Sequence, residues 1–142
     1  MEKRIAFVSC SKKKKSYPCE AASLYAESQL FKFASSFCNT HYDKWFILSA
    51  KHGVVAPSDI LEPYDQTLKS TSISNKKKWA HKVLLQIQQQ FSSNSPVFYF
   101  HASDDYVKYL IPLLEDAGYQ CVRPLKGLGI GKQQHWYKEA LL

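Results

Sequence analysis

The chain has 142 residues, 45% of them hydrophobic, and 19 Lys and Arg against 12 Asp and Glu give a formal net charge of +7. That length predicts one domain over residues 1–142, and the apolar fraction suffices for a packed core, which argues against global disorder. The sequence has no long apolar leader and no apolar run of membrane-spanning length, so the expectation is a soluble, cytoplasmic protein with no membrane partner.

Cys10, Cys19, Cys38 and Cys121 form neither a CxxC pair nor a Cys/His cluster at zinc spacing. They predict reduced thiols and no zinc site. No metal ligand and no cofactor is assigned from the sequence. Two lysine runs, Lys12 to Lys15 and Lys76 to Lys78, stand out in the charge balance. A basic balance suits a polyanion such as nucleic acid or a nucleotide. The plainer explanation of such runs is a solvated face.

Lys3 to Ser9, with Ile5-Ala6-Phe7-Val8 at its centre, predicts a buried first strand. It opens into Cys10-Ser11 and four lysines, a turn in which Ser9, Ser11 and Lys13 are candidate phosphate contacts, although the glycines of a P-loop are missing. Apolar residues at helical spacing predict a helix over 21–38, ended by Asn39 and Thr40. Lys44 to Ser49 is the second strand. The segment from Leu48 to Leu68 then combines Ser49, Lys51, His52, Asp59, Glu62, Tyr64 and Asp65 with Gly53, Pro57 and Pro63. A loop this long in a compact domain is uncommon unless it is functional.

Ser74 is a candidate N-cap for a helix over about 75–91. The lysines of that helix fall in its first turn, where the helix dipole disfavours cations, a local misfit that points to a polyanion. Ser95 to His101 is the third strand. A helix follows from Ser103 to Gly118, kinked at Pro112. Tyr119 to Arg123 is the fourth strand, Pro124 to Gly131 a glycine-rich loop, and Gln133 to Leu142 a last helix. Alternating strands and helices predict an α/β fold: a three-layer α/β/α domain with a mostly parallel sheet of about four strands. Ligands of such sheets bind beyond the carboxyl ends of the strands. Each strand here ends in polar residues or a glycine-rich loop, so four segments converge on one edge.

On that edge His52 and His101 are candidate general acids or bases, because imidazole titrates near neutrality. Ser9 and Ser49 suit phosphate binding, and lack the GxSxG surroundings of a nucleophilic serine. Lys51 is a candidate anion contact. Glu62 and Asp65 lie three apart across Pro63 and can aim two carboxylates into one pocket. Tyr64 can stack on a base. Lys126, Gly127 and Gly129 belong to a loop whose amides suit a phosphate at a helix N-terminus.

The pattern Val8-Ser-Cys-Ser-Lys-Lys-Lys14, Ala22 with Leu24-Tyr25, Ser28 and Leu30-Phe31 resembles the domain of unknown function 6884 family of bacteria and phages. So do Leu48-Ser-Ala-Lys-His-Gly53, Pro57, Glu62-Pro-Tyr-Asp65, Leu68, Pro124 to Gly131 and Trp136. More distantly, Leu48-Ser49, Gly53, Pro57 and Pro63-Tyr64 resemble the corresponding segment of the YaaA peroxide-stress proteins, with His52 replacing an aromatic residue. The resemblance implies a small α/β domain found near nucleic-acid metabolism and supplies no established reaction. The expected function is an enzyme acting on a nucleobase, nucleoside or nucleotide by N-glycosidic cleavage or base exchange. Glu62 or Asp65 would serve as the carboxylate, His52 or His101 would assist base departure, and Ser11, Lys13 and Lys51 would hold phosphate. The alternative is a non-catalytic DNA- or RNA-binding protein or a ligand-sensing stress or phage accessory protein.

Overall fold

The computed structural model describes residues 3–92 and 96–142. Its centre is β1 (Lys3–Ser9), whose middle four residues are fully buried. It pairs in parallel with β3 (Lys44–Ser49) on one side and β6 (Pro96–His101) on the other, and β6 pairs in parallel with β7 (Gln120–Val122). Short apolar runs rich in aromatic and branched side chains pack on both faces of such a sheet, which is why these strands read clearly in the sequence. The expected strand start at Ser95 lies outside the described residues.

A fifth strand, β4 (Gly53–Val55), turns back antiparallel on β3 and gives the order β4-β3-β1-β6-β7. The segment predicted as an open loop is therefore a hairpin followed by a tethered excursion. The tether is a small antiparallel ladder of β2 (Cys19–Glu20) with β5 (Ile60–Leu61). Backbone bonds from Ala21 N to Asp59 O (2.8 Å) and Ala22 N to Pro57 O (3.0 Å) reinforce it.

Alternate residues of β1 enter two separate cores. Ile5 and Phe7 pack with α3 (Ile73–Gln90), α4 (Asp104–Val107) and α5 (Leu110–Asp116). Ala6 and Val8 pack with α1 (Ala21–Leu24), α2 (Gln29–His41) and α6 (Ile130–Ala140). The helix expected over 21–38 is broken in two, because the Ser28 hydroxyl accepts from Phe31 N at 3.2 Å and starts α2 afresh. Ser72, not Ser74, caps α3, accepting from Asn75 N at 3.1 Å. Lys76 to Lys78 thus begin at the fourth helical residue, beyond the steepest part of the dipole field, and Lys76 is paired with Asp105 at 3.0 Å. The helix expected from Ser103 to Gly118 is also split, between α4 and α5. Pro112 has no N–H for the Lys108 carbonyl, and the break falls at residues 108–109, one turn before it. Gly118, at φ 98°, closes α5 as expected, with Tyr119 N donating to Leu114 O at 3.0 Å in a Schellman arrangement. Among the described residues no helix is long and apolar enough to cross a membrane.

Candidate functional site: the strand-end tyrosine cluster and its lysines

The carboxyl ends of β1 and β3 are neighbours, since Cys10 N donates to Leu48 O at 3.0 Å. Beyond β3 the chain turns through Ala50-Lys51-His52 into β4. Ser49 organises this turn and is completely buried. Its hydroxyl oxygen accepts from Lys51 N (3.2 Å) and His52 N (3.0 Å). With both lone pairs occupied, it donates its own proton to the Tyr64 oxygen at 2.7 Å. Tyr64 lies 2.6 Å from the Tyr25 oxygen, so its proton passes to Tyr25 or to an incoming ligand. Ser49 is thus a structural donor inside a hydroxyl chain. Among the described residues no base is hydrogen-bonded to it, which disfavours a nucleophilic role.

Tyr64 is the hub of this cluster. The Lys14 ammonium lies 4.4 Å from its ring centre and the Lys51 ammonium 6.0 Å. The His52 ring meets it edge-on at 5.7 Å. Burial, then the fields of Lys51 and Lys82, push the His52 pKa below the ordinary imidazole value. His52 is therefore neutral at pH 7 and able to accept a proton. Burial raises Tyr64 above the usual phenol range and pushes Tyr25 up to about 12, so both hydroxyls stay protonated. Cys10 Sγ, at the end of β1, lies 3.0 Å from the Tyr106 hydroxyl on α4.

Beside this cluster opens a pocket of about 320 Å³ lined by Lys51, Thr67, Thr71, Asn75, Lys78 and Lys82, floored by Trp79. Trp79 Nε1 donates to Ser49 O at 2.9 Å and fixes α3 against the strand end. Lys82 Nζ donates to Lys51 O at 2.8 Å. Among the described residues none of Lys51, Lys78 and Lys82 is in ion-pair distance of a carboxylate. Lys78 and Lys82 are four apart on one helix, where like charges repel. Three lysines, two threonines and the two amide side chains of Gln66 and Asn75 thus line one cleft, with no carboxylate among its lining residues.

The residues expected from the sequence divide accordingly. Ser49, Lys51, His52 and Tyr64 come together. Asp65 is exposed, and its field on Lys14 only partly offsets the burial that lowers the Lys14 pKa, whereas Glu62 is exposed with no hydrogen bond or ion pair among the described residues. Ser9 ends β1 half-buried. The Ser11 hydroxyl donates to Lys13 O at 2.7 Å, and the Lys13 side chain is exposed. It is Lys14 that turns into the cluster. His101 lies in the second core, its ring nitrogens each 2.7 Å from a hydroxyl, those of Tyr42 and Tyr137. Lys126, Gly127 and Gly129 form an exposed loop between β7 and α6, and among the described residues they share no hydrogen bond or ion pair with the Tyr64 cluster. Sequence reasoning missed Lys14, Tyr25, Lys78 and Lys82. The lysine run at the start of α3 was the one signal pointing to the last two. Among the described residues no group of three or more His, Cys, Asp or Glu side chains is arranged to hold a metal ion.

A mostly parallel α/β sheet with a lysine-lined cleft at its carboxyl edge defines the class of protein. The family of unknown function DUF6884 matches residues 5–139, and the chain belongs to that family. No curated protein and no solved structure matches the chain.

Proposed function

We propose that this protein binds the phosphate of a nucleotide, free or within a strand, in the Lys51–Lys78–Lys82 cleft, and cleaves or exchanges the N-glycosidic bond to its base. The observation that carries this reading is the uncompensated cluster of three ammonium groups. Repulsion makes such a cluster unfavourable for the empty protein, and an anion relieves it. The base would lie toward Tyr64 and His52. Neutral His52 would accept a proton from water or a sugar hydroxyl, and Asp65, with Glu62 two residues before Tyr64, would supply carboxylate charge to an oxocarbenium-like centre. The same reading treats residues 1–142 as one three-layer domain working in the cytoplasm.

The test is release of free base from nucleoside monophosphates and from short oligonucleotides, separated chromatographically. Wild type is expected to release base. His52→Ala and Asp65→Asn are each expected to lose about 100-fold or more, the usual scale of a lost acid–base group. Undiminished release in both variants would overturn the assigned roles. The second reading, a non-catalytic nucleic-acid-binding protein, is favoured by the net charge of +7 and the exposed Lys12 and Lys13. It predicts no base release, with oligonucleotide affinity falling steeply with salt.

A further inference from the structure

The four lysines after β1 have different surroundings. Lys12 and Lys13 are exposed, and Lys15 is held by Glu27 at 3.0 Å. Lys14 is drawn inward over the Tyr64 ring at 4.4 Å and toward the Tyr25 ring at 5.9 Å. Its hydrogen bond goes to the Lys12 carbonyl at 3.3 Å, and among the described residues no carboxylate is in ion-pair distance of it. Such an ammonium has given up part of its water for two aromatic rings, a weak exchange. Burial accordingly lowers its pKa, opposed by Cys10 and Asp65, which raise it. Lys14 also shares the Tyr64 ring with Lys51, which lines the anion cleft. Tyr64 thus links Lys14 to a lysine of the cleft, and a pentose phosphate held by Lys51 that extends to the Tyr64 ring would bring its sugar toward Lys14.

We propose that Lys14 is the nucleophile of this site, its amine attacking C1′ of the phosphate-bound sugar and holding it as an imine. This rests on the reading of the site as one that breaks an N-glycosidic bond. The lone pair of neutral Nζ forms a bond to C1′ as the bond from C1′ to the base nitrogen breaks, and the base leaves with that electron pair. One amine proton ends on the departing base. The remaining nitrogen pair then opens the sugar ring, the C1′–O4′ bond breaks, and the second amine proton ends on O4′, leaving a C1′=Nζ imine. Water hydrolyses the imine to the sugar aldehyde and restores the free amine. Asp65 and His52 are the groups near Tyr64 and Lys14 that can carry these protons. A base entering in place of water would reverse the sequence, so exchange and cleavage share one intermediate.

The amine is tested by borohydride trapping with two probes of the same chemistry, ribose 5-phosphate and an oligonucleotide bearing an abasic aldehyde, followed by peptide mapping. Base release from the corresponding intact nucleotide and oligonucleotide is assayed in parallel. The expected result is a reduced adduct on Lys14, with a yield at least about tenfold lower in Lys14→Arg, which keeps charge and length but has no nucleophilic amine. The probe giving the higher yield identifies the free or the polymeric substrate. An adduct on Lys14 without base release from either intact substrate would uphold the amine and overturn the glycosidic reading. Base release without an adduct, or an adduct mapping to another lysine, would overturn the role of Lys14. Neither adduct nor base release would overturn both.

Discussion

Acidification from pH 7 to pH 4 is expected to remove about 3 kcal/mol of stability through His101 alone. This side chain is 6% exposed, packs at tilted and edge-on angles among the rings of Phe37, Tyr42 and Tyr137, and is engaged at both ring nitrogens by hydroxyls 2.7 Å away. A neutral imidazole has one donor and one acceptor, and the two hydroxyls can complement both. Burial lowers its pKa from 6.5 to about 4. Between those values the unfolded chain holds a proton at His101 that the folded protein does not. Stability from this group is complete above about pH 6.5 and is lost as pH falls toward 4. Urea unfolding of wild type and His101→Gln across pH 4 to 7 checks this. Gln can offer a donor and an acceptor but does not titrate, so its stability should fall less steeply, by up to one proton's worth of slope. The same slope in both proteins would contradict the assignment. A histidine neutral down to about pH 4 and closed off by two tyrosines is poorly suited to proton transfer at neutral pH, whereas half-buried His52 is free to perform it.

Gly53→Ala should be the most damaging small substitution near the site. Gly53 begins β4 at φ 77°, after the three-residue turn Ala50-Lys51-His52, where a left-handed residue lets the strand reverse. An L-residue there costs about 1–2 kcal/mol. The new Cβ would also collide with the Gln86 amide, a clamp on the turn. Gln86 Oε1 accepts from Val54 N at 2.8 Å, and Nε2 donates to His52 O at 3.0 Å. Displacing both bonds adds about 1 kcal/mol each, for a total of roughly 3–4 kcal/mol. Chemical denaturation of Gly53→Ala, Gln86→Ala and the double variant separates the two parts. Removing Gln86 first should leave only the backbone cost for Gly53→Ala, a coupling of about 2 kcal/mol. A loss below about 1 kcal/mol in Gly53→Ala would show that the turn is not held as described.

What was legible in the sequence follows from physical range. β1 and β3 were visible because each is a run of apolar residues buried within one sheet. β4 was not, because its pairing is decided by the Gly53 turn and by Gln86, which lies 33 residues away in the chain. Ser72 and Ser74 are equally good caps by type, and only the position of the Asn75 N–H selects the first. The site divides in the same way. Ser49, Lys51, His52 and Tyr64 lie close together in one turn and the excursion after it, and so could be found together. Lys14 and Lys13 are indistinguishable in a run of four lysines. Only the direction of the turn, with Ser11 bonded to the Lys13 carbonyl, sends one inward and the other to solvent. His101 was correctly placed at a strand end. Its parity, opposite Val8, sends it into the core under α2 and α6 rather than toward Tyr64.

The most direct test of the central claim, that the lysine cleft beside Tyr64 holds a ligand phosphate, is calorimetric titration with a nucleoside monophosphate and with the matching uncharged nucleoside. Wild type should bind the monophosphate more tightly, and the double variant Lys78→Ala/Lys82→Ala should lose about tenfold or more of that preference, with a shallower salt dependence. Equal affinity for nucleoside and monophosphate, or a phosphate preference unchanged in the double variant, would contradict the assignment of the cleft.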